Sequence, residues 1–131
     1  ATGGRGEAYL AVGRYDQALP LARQYLEQRR GLKARGFEGW ALKLLGDTLC
    51  RQTPPVDTEA EACYREALEI AVALEMRPLS ALCHLGLGLL HRRRGHPEIG
   101  SDELGRAAEL LRAMGMTHWL DQVAGDGQTS R

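Results

Sequence analysis

The residues closest to a chemical centre are His84, His91 and His96, with Cys83 beside the first. A zinc site needs about four converging ligands, or three plus water. His84 and His91 are seven apart, so on a helix they share nearly one face but stand about 10 Å apart along the axis, too far to hold one ion. They read as core-facing, hydrogen-bonded packing residues. Cys50, Cys63 and Cys83 make an odd count without close pairing, which is not a disulfide framework. They read as buried thiols in a reducing compartment. Arg92, Arg93 and Arg94, and the run Arg29, Arg30, Lys33 and Arg35, could touch phosphates. The chain balances 17 Lys+Arg against 17 Asp+Glu and interleaves no aromatics with these runs, so they read as solvated faces rather than a nucleic-acid groove. Glu59, Glu61 and Glu66 read as surface charge for Arg65 or a neighbouring helix. Gly86 and Gly88 form a G-x-G without a preceding strand, and no nucleophile triad or paired-carboxylate motif stands out. No catalytic, cofactor or metal residues are therefore expected, and the chain is not expected to be an enzyme.

The elements that carry these residues read as all-α. The 131 residues suggest one domain, and 44% hydrophobic content is enough for a packed core. With only 5% aromatic residues, Ala and Leu must fill most of that core. Apolar positions recur at three- and four-residue steps in six stretches. These are Thr2 to Val12, Tyr15 to Arg30, Gly36 to Arg51, Thr58 to Glu75, a fifth from Pro78 to Arg94, and a sixth from Pro97 to Met114. Pro20 fits the second helix only if that helix starts near Asp16 or Gln17. Gly31 to Gly36 reads as a six-residue connector and Thr53 to Asp57 as a break. Thr58 with Glu61 predicts a capping box, and Gly95 and Gly115 predict turns or stops. Thr117 predicts the cap of a last short helix carrying Trp119, Leu120 and Val123. Gly125 to Arg131 predicts a frayed tail.

Gly6, Gly46 and Gly88 stand 40 and 42 residues apart, each inside a helical pattern. Small residues follow at Ala18, Ala60 and Gly100, and then Tyr25, Ala67 and Ala107 seven further on. A period of about forty without strands predicts a stacked helical array. Glycine inside a helix costs about 1 kcal/mol against alanine, so its recurrence predicts close helix crossings at those points.

Gly6, Tyr9, Gly13, Tyr15 and Ala18 are similar to the tetratricopeptide repeat pattern. Gly88, Gly95 and Gly100 resemble it in part, with His91 in an aromatic slot. Gly46, Leu49, Ala60, Tyr64 and Ala67 resemble it with a longer internal turn. The likeness covers about residues 1–116, at a longer period than the usual 34 or so. It implies a right-handed α-solenoid of three helical hairpins plus a short C-terminal capping helix. Repeats would run over 1–34, 35–76 and 77–116, with a cap over 117–124 and a flexible tail over 125–131. The run Ala67 to Met76 recurs as Ala107 to Met116. With His84-Leu-Gly-Leu-Gly and Met116-Thr-His-Trp-Leu, it resembles the C-terminal repeat region of bacterial cyclase, ATPase or transcriptional-regulator signalling proteins.

The resemblance implies a protein or peptide partner, or another domain of a larger cytoplasmic parent chain, held on a concave face. The family's contact positions fall on Trp40, Lys43, Asp47, Cys50 and Arg51, and on Leu82, Leu85, Leu89, Arg92 and Arg93. In the first repeat they fall on Gly3, Glu7, Leu10 and Ala11. A clamp for a C-terminal carboxylate finds only Lys43 suitable. The expected function is a non-catalytic interaction scaffold with Trp40 as anchor. No cofactor, nucleic acid or membrane partner is expected, since no apolar run approaches the roughly 18 residues of a span. The alternative is a self-assembling module, a homodimer made by packing the edge of Tyr9, Leu10 and Tyr15 or by swapping a hairpin about Gly31 to Gly36.

Overall fold

A computed structural model describes residues 15–121 and 123. Five α-helices follow one another, α1 (Tyr15–Gly31), α2 (Arg35–Cys50), α3 (Asp57–Ala73), α4 (Arg77–Arg93) and α5 (Pro97–Ala113). A 3-10 turn at Thr117–Trp119 then leads into helical residues 120, 121 and 123. No strand occurs among the described residues, so the fold is all-α. The expected first helix, with Gly6, Tyr9 and Leu10, and the expected tail lie outside the described residues.

Four connections are closed by one device. The second residue after the helix end takes positive φ at Lys33 (54°), Glu75 (56°), Gly95 (82°) and Gly115 (72°). The next amide then donates back five residues, from Ala34 to Arg29, Met76 to Ala71, His96 to His91 and Met116 to Leu111. This is the Schellman closure, which satisfies carbonyls left open at a helix end. Glycine is favoured at its left-handed position because it has no Cβ to clash. Lys33 and Glu75 hold that position without this advantage. Only α2 to α3 differs, where Pro54 and Pro55 stretch the connection.

Several local expectations are corrected. The connector shrinks to the three residues Leu32–Ala34, because α1 continues through Gly31 and Gly36 belongs to α2. Pro20 stands in the second turn of α1 rather than the first, since the helix already includes Tyr15. Its ring nitrogen leaves the Asp16 carbonyl without the usual helical donor, on a face open to water. Thr58 is inside α3, Val56 precedes the helix, and no side chain caps it. Glu61 turns instead to His91 and Arg65, where charge-assisted bonds replace the expected capping bond. Thr117 likewise opens the 3-10 turn without capping it.

Consecutive helices joined by such short turns run antiparallel. Neighbours in sequence pack together, and α2 also touches α4. On the other side, ion pairs join α1 to α3 and α3 to α5. Arg23 grips Glu59 with two bonds of 2.6 and 3.0 Å, Arg30 meets Glu66 at 2.9 Å, and Arg65 meets Glu103 at 3.5 Å. The helices thus form two layers, α2 and α4 against α1, α3 and α5.

Small residues set the layer spacing. Tyr64, 2% exposed, lays its ring against Gly46 of α2 and Gly86 of α4. A Cβ would stand 2.9 Å from that ring at Gly46 and 2.6 Å at Gly86. At Gly88 a Cβ would stand 2.6 Å from Leu104 Cγ. Ala18, Ala60, Ala67 and Ala107 are fully buried, as their recurrence predicts. The main core spans α1 to α4, and a second cluster of Leu82, Leu85, Leu104 and Ala107 is flanked by Trp40, Leu89, Trp119 and Val123.

Candidate functional site

The positions expected to contact a partner occupy one stripe on α2 and one on α4. Trp40, Lys43, Asp47 and Cys50 fall at helical spacing along α2, each half-buried. Leu85 is buried, Leu89 and Arg92 half-buried and Arg93 exposed along α4. Trp40 joins the stripes physically, since its side chain packs against the cluster containing Leu82 and Leu85. Gly3, Glu7, Leu10 and Ala11 lie outside the described residues.

The charges on this face are already engaged within the fold. Lys43 Nζ lies 2.6 Å from Asp47, which also accepts from the Tyr64 hydroxyl at 2.5 Å. Arg51 donates to the Tyr15 hydroxyl at 3.3 Å and lies over its ring. Arg93 pairs with Asp57. What the face offers a partner is therefore the half-buried apolar surface of Trp40 and Leu89, bordered by arginines with internal partners.

The thiols are quiet. Burial pushes Cys83 up to about 12 and Cys63 up to about 11, from an ordinary value of 9.0. Burial also raises Cys50, whose sulfur lies 3.9 Å from the Tyr64 hydroxyl. All three are free thiols. Burial, aided by Asp47, holds the Tyr64 hydroxyl well above its ordinary range, so it stays a donor. Proteins activate cysteines by the opposite arrangement, exposure beside cations.

A cavity of about 370 Å³ lies between α1 and α3. Its floor is Leu26, Leu42, Leu45 and Cys63, and the pairs Arg23–Glu59 and Arg30–Glu66 stand at its rim.

The histidines form the most connected polar cluster, one the sequence reading did not assemble. Arg65 sits between two carboxylates, 3.4 Å from Glu61 and 3.5 Å from Glu103. Each carboxylate meets a histidine of α4, Glu103 to His84 Nδ1 at 2.7 Å and Glu61 to His91 Nε2 at 3.0 Å. His91 Nδ1 continues to His96 Nδ1 at 3.1 Å. Burial pushes Glu61 up, yet the bonds from His91 and Arg65 outweigh it and hold the carboxyl below its usual range. His84 and His91 are thus packed and hydrogen-bonded, each by a carboxylate from a different helix. The seven-residue steps His84–His91, Arg23–Arg30 and Glu59–Glu66 were the sequence signal, but the facing helix supplies the partner. No group of three His, Cys, Asp or Glu able to hold a metal occurs among the described residues.

No protein-family model, no curated protein and no solved structure matches this chain.

Proposed function

We propose that this chain is a non-catalytic protein–protein interaction scaffold, a tetratricopeptide-like array within a larger cytoplasmic regulatory protein. It holds a helix, an extended peptide or a neighbouring domain on the α2–α4 face. The observation that carries this reading is the half-buried Trp40 ring of α2, packed against the cluster that Leu82 and Leu85 of α4 help to form. Large, partly desolvated aromatic side chains dominate binding energy where they meet a partner. The buried high-range thiols and the internally paired charges favour binding over chemistry. No helix among the described residues is long and apolar enough to cross a membrane.

The test is selection of binding peptides from a random library, followed by affinity measurement on variants. Trp40→Ala is expected to weaken the selected peptides at least about tenfold, or roughly 1.4 kcal/mol. Arg106→Ala, on the solvent side of α5, leaves them unchanged. Equal binding to Trp40→Ala with unchanged helicity would reject the face.

A second reading is a homodimer by edge packing or hairpin exchange. Leu32 and Phe37, 67% and 59% exposed, flank the α1–α2 turn, and Lys33 holds a left-handed conformation within it. Light scattering showing a monomer at high concentration removes this reading.

A further inference from the structure

We propose that His96 is a phosphoryl acceptor, its Nε2 taking a phosphoryl group from a donor with a phosphorus–nitrogen bond, a phosphoramidate. The basis is a chain of two hydrogen bonds that fixes the tautomer of an exposed imidazole. Glu61 is ionised and can only accept, so His91 donates from Nε2. An imidazole that carries its one proton on Nε2 presents a lone pair on Nδ1. The nitrogen facing it, His96 Nδ1 at 3.1 Å, must carry the proton. That leaves the lone pair of His96 on Nε2. The ring centroids are 5.4 Å apart, which exceeds the nitrogen separation by about two ring radii. The two rings therefore point nose to nose, which suits a shared proton and not a metal ion held between them.

His96 is exposed, whereas His91 is 6% exposed. The arrangement is thus a buried imidazole, paired with a half-buried carboxylate, backing an imidazole open to solvent. A nucleophile whose proton can pass to an oriented base is the general device of covalent catalysis, used here for modification. In the transfer, the Nε2 lone pair forms the new bond to phosphorus. The phosphorus–nitrogen bond of the donor breaks, and its already protonated nitrogen leaves as ammonia. The Nδ1 proton of His96 moves to His91 Nδ1, whose positive charge is held by Glu61.

The surroundings suit a phosphoryl anion. His96 directly precedes the 17-residue helix α5, and Arg94 lies two residues before it. Among the described residues Arg94 is held by long contacts, 3.9 Å to Asp57 and 4.0 Å to Glu61. A phosphoryl group beside an arginine and a helix start gains charge-assisted bonds. His84 has a carboxylate partner too, but it is 11% exposed and out of reach of a donor. His118 is exposed and rests on Trp119, with no carboxylate–imidazole pair behind it among the described residues, and serves as a standard within the same chain.

The experiment treats the intact chain with potassium phosphoramidate. Phosphorylated positions are located by peptide mass spectrometry, and the nitrogen is assigned by phosphorus NMR. His96 is expected to react on Nε2 at least about tenfold faster than His118. Glu61→Gln and His91→Gln are expected to bring His96 to the rate of His118. His96→Asn, at an exposed position, removes the fast site while keeping the helicity. Equal rates at His96 and His118 in the unaltered chain, or a phosphoryl group on Nδ1, would overturn the assignment whatever the variants do. So would an unchanged His96 rate in Glu61→Gln.

Discussion

Gly88 and Gly100 lie backbone to backbone. A Cβ on Gly100 would stand 3.0 Å from the Gly88 carbonyl oxygen, and a Cβ on Gly88 would stand 3.1 Å from that of Gly100. Neither oxygen can retreat without unwinding its helix. Gly88→Ala would also press on Leu104, which is 2% exposed. The gain in helix propensity, about 1 kcal/mol, is smaller than a crowding cost of roughly 1–3 kcal/mol. Gly88→Ala and Gly100→Ala are therefore expected to lower the urea midpoint. Gly105, in the same helix as Gly100, has nothing within 4 Å of its Cβ position, so Gly105→Ala should raise that midpoint by the propensity term. A gain from all three substitutions would show that α4 and α5 do not meet closely.

The Tyr64 hydroxyl is the polar tip of a ring buried among three helices. Removing it leaves Asp47 with Lys43 but without its buried donor. Tyr64→Phe is expected to cost about 1–3 kcal/mol of unfolding free energy. Tyr64→Ala is expected to cost more, about 3–5 kcal/mol in the range known for large aromatics. Chemical denaturation measures both, and a neutral Tyr64→Phe would argue against the bond to Asp47.

Glu75 closes α3 with φ of 56° in a turn otherwise like those at Gly95 and Gly115. The left-handed position costs a residue with a Cβ about 1–2 kcal/mol. Part of the benefit of glycine there is offset by the added freedom of the unfolded chain. Glu75→Gly is expected to stabilise by a few tenths to about 1 kcal/mol, read as a raised melting temperature, whereas Glu75→Val is expected to lower it.

Stability should fall at both ends of the pH scale, for different groups. Cys63 and Cys83 keep their protons to about 11 and about 12 when folded, against 9.0 ordinarily. Below about 9 neither state ionises and their contribution is complete. Above it the unfolded chain releases protons that the folded chain retains, so stability declines by up to about 1.4 kcal/mol per pH unit per thiol. Urea midpoints at pH 8 and pH 9.5 should differ, and the Cys63→Ala, Cys83→Ala double variant should lose most of that difference. In acid, Glu61 is held below its ordinary 4.5, so its contribution is present above that value and is lost as pH falls through the lowered one. Glu61→Gln should flatten the acid limb. Identical limbs in the variants would contradict these environments.

The buried faces were legible in the sequence because a helix repeats its inward side every three or four residues, whatever lies opposite. Ala18, Ala60, Ala67 and Ala107, which recur with the forty-residue period, lie on those inward sides and are fully buried. Helix ends were less legible. Gly95 and Gly115 carry a conformational preference in their own chemistry, whereas Lys33 and Glu75 reach the same backbone shape without one. Thr58 and Glu61 have the spacing of a cap, yet the cap lost to partners some thirty residues away.

The sequence by itself determined that this chain is helical, that its repeat is about forty residues long, and that small residues mark the crossings. Those features follow from backbone sterics and side-chain periodicity, which act over a few residues. Tertiary structure decided which charges meet. Arg65 stands between Glu61 and Glu103, His91 stands between Glu61 and His96, and Trp40 bridges α2 to α4 only because three helices converge there. Electrostatics and hydrogen bonds depend on distances between atoms far apart in the chain, and folding alone sets those distances.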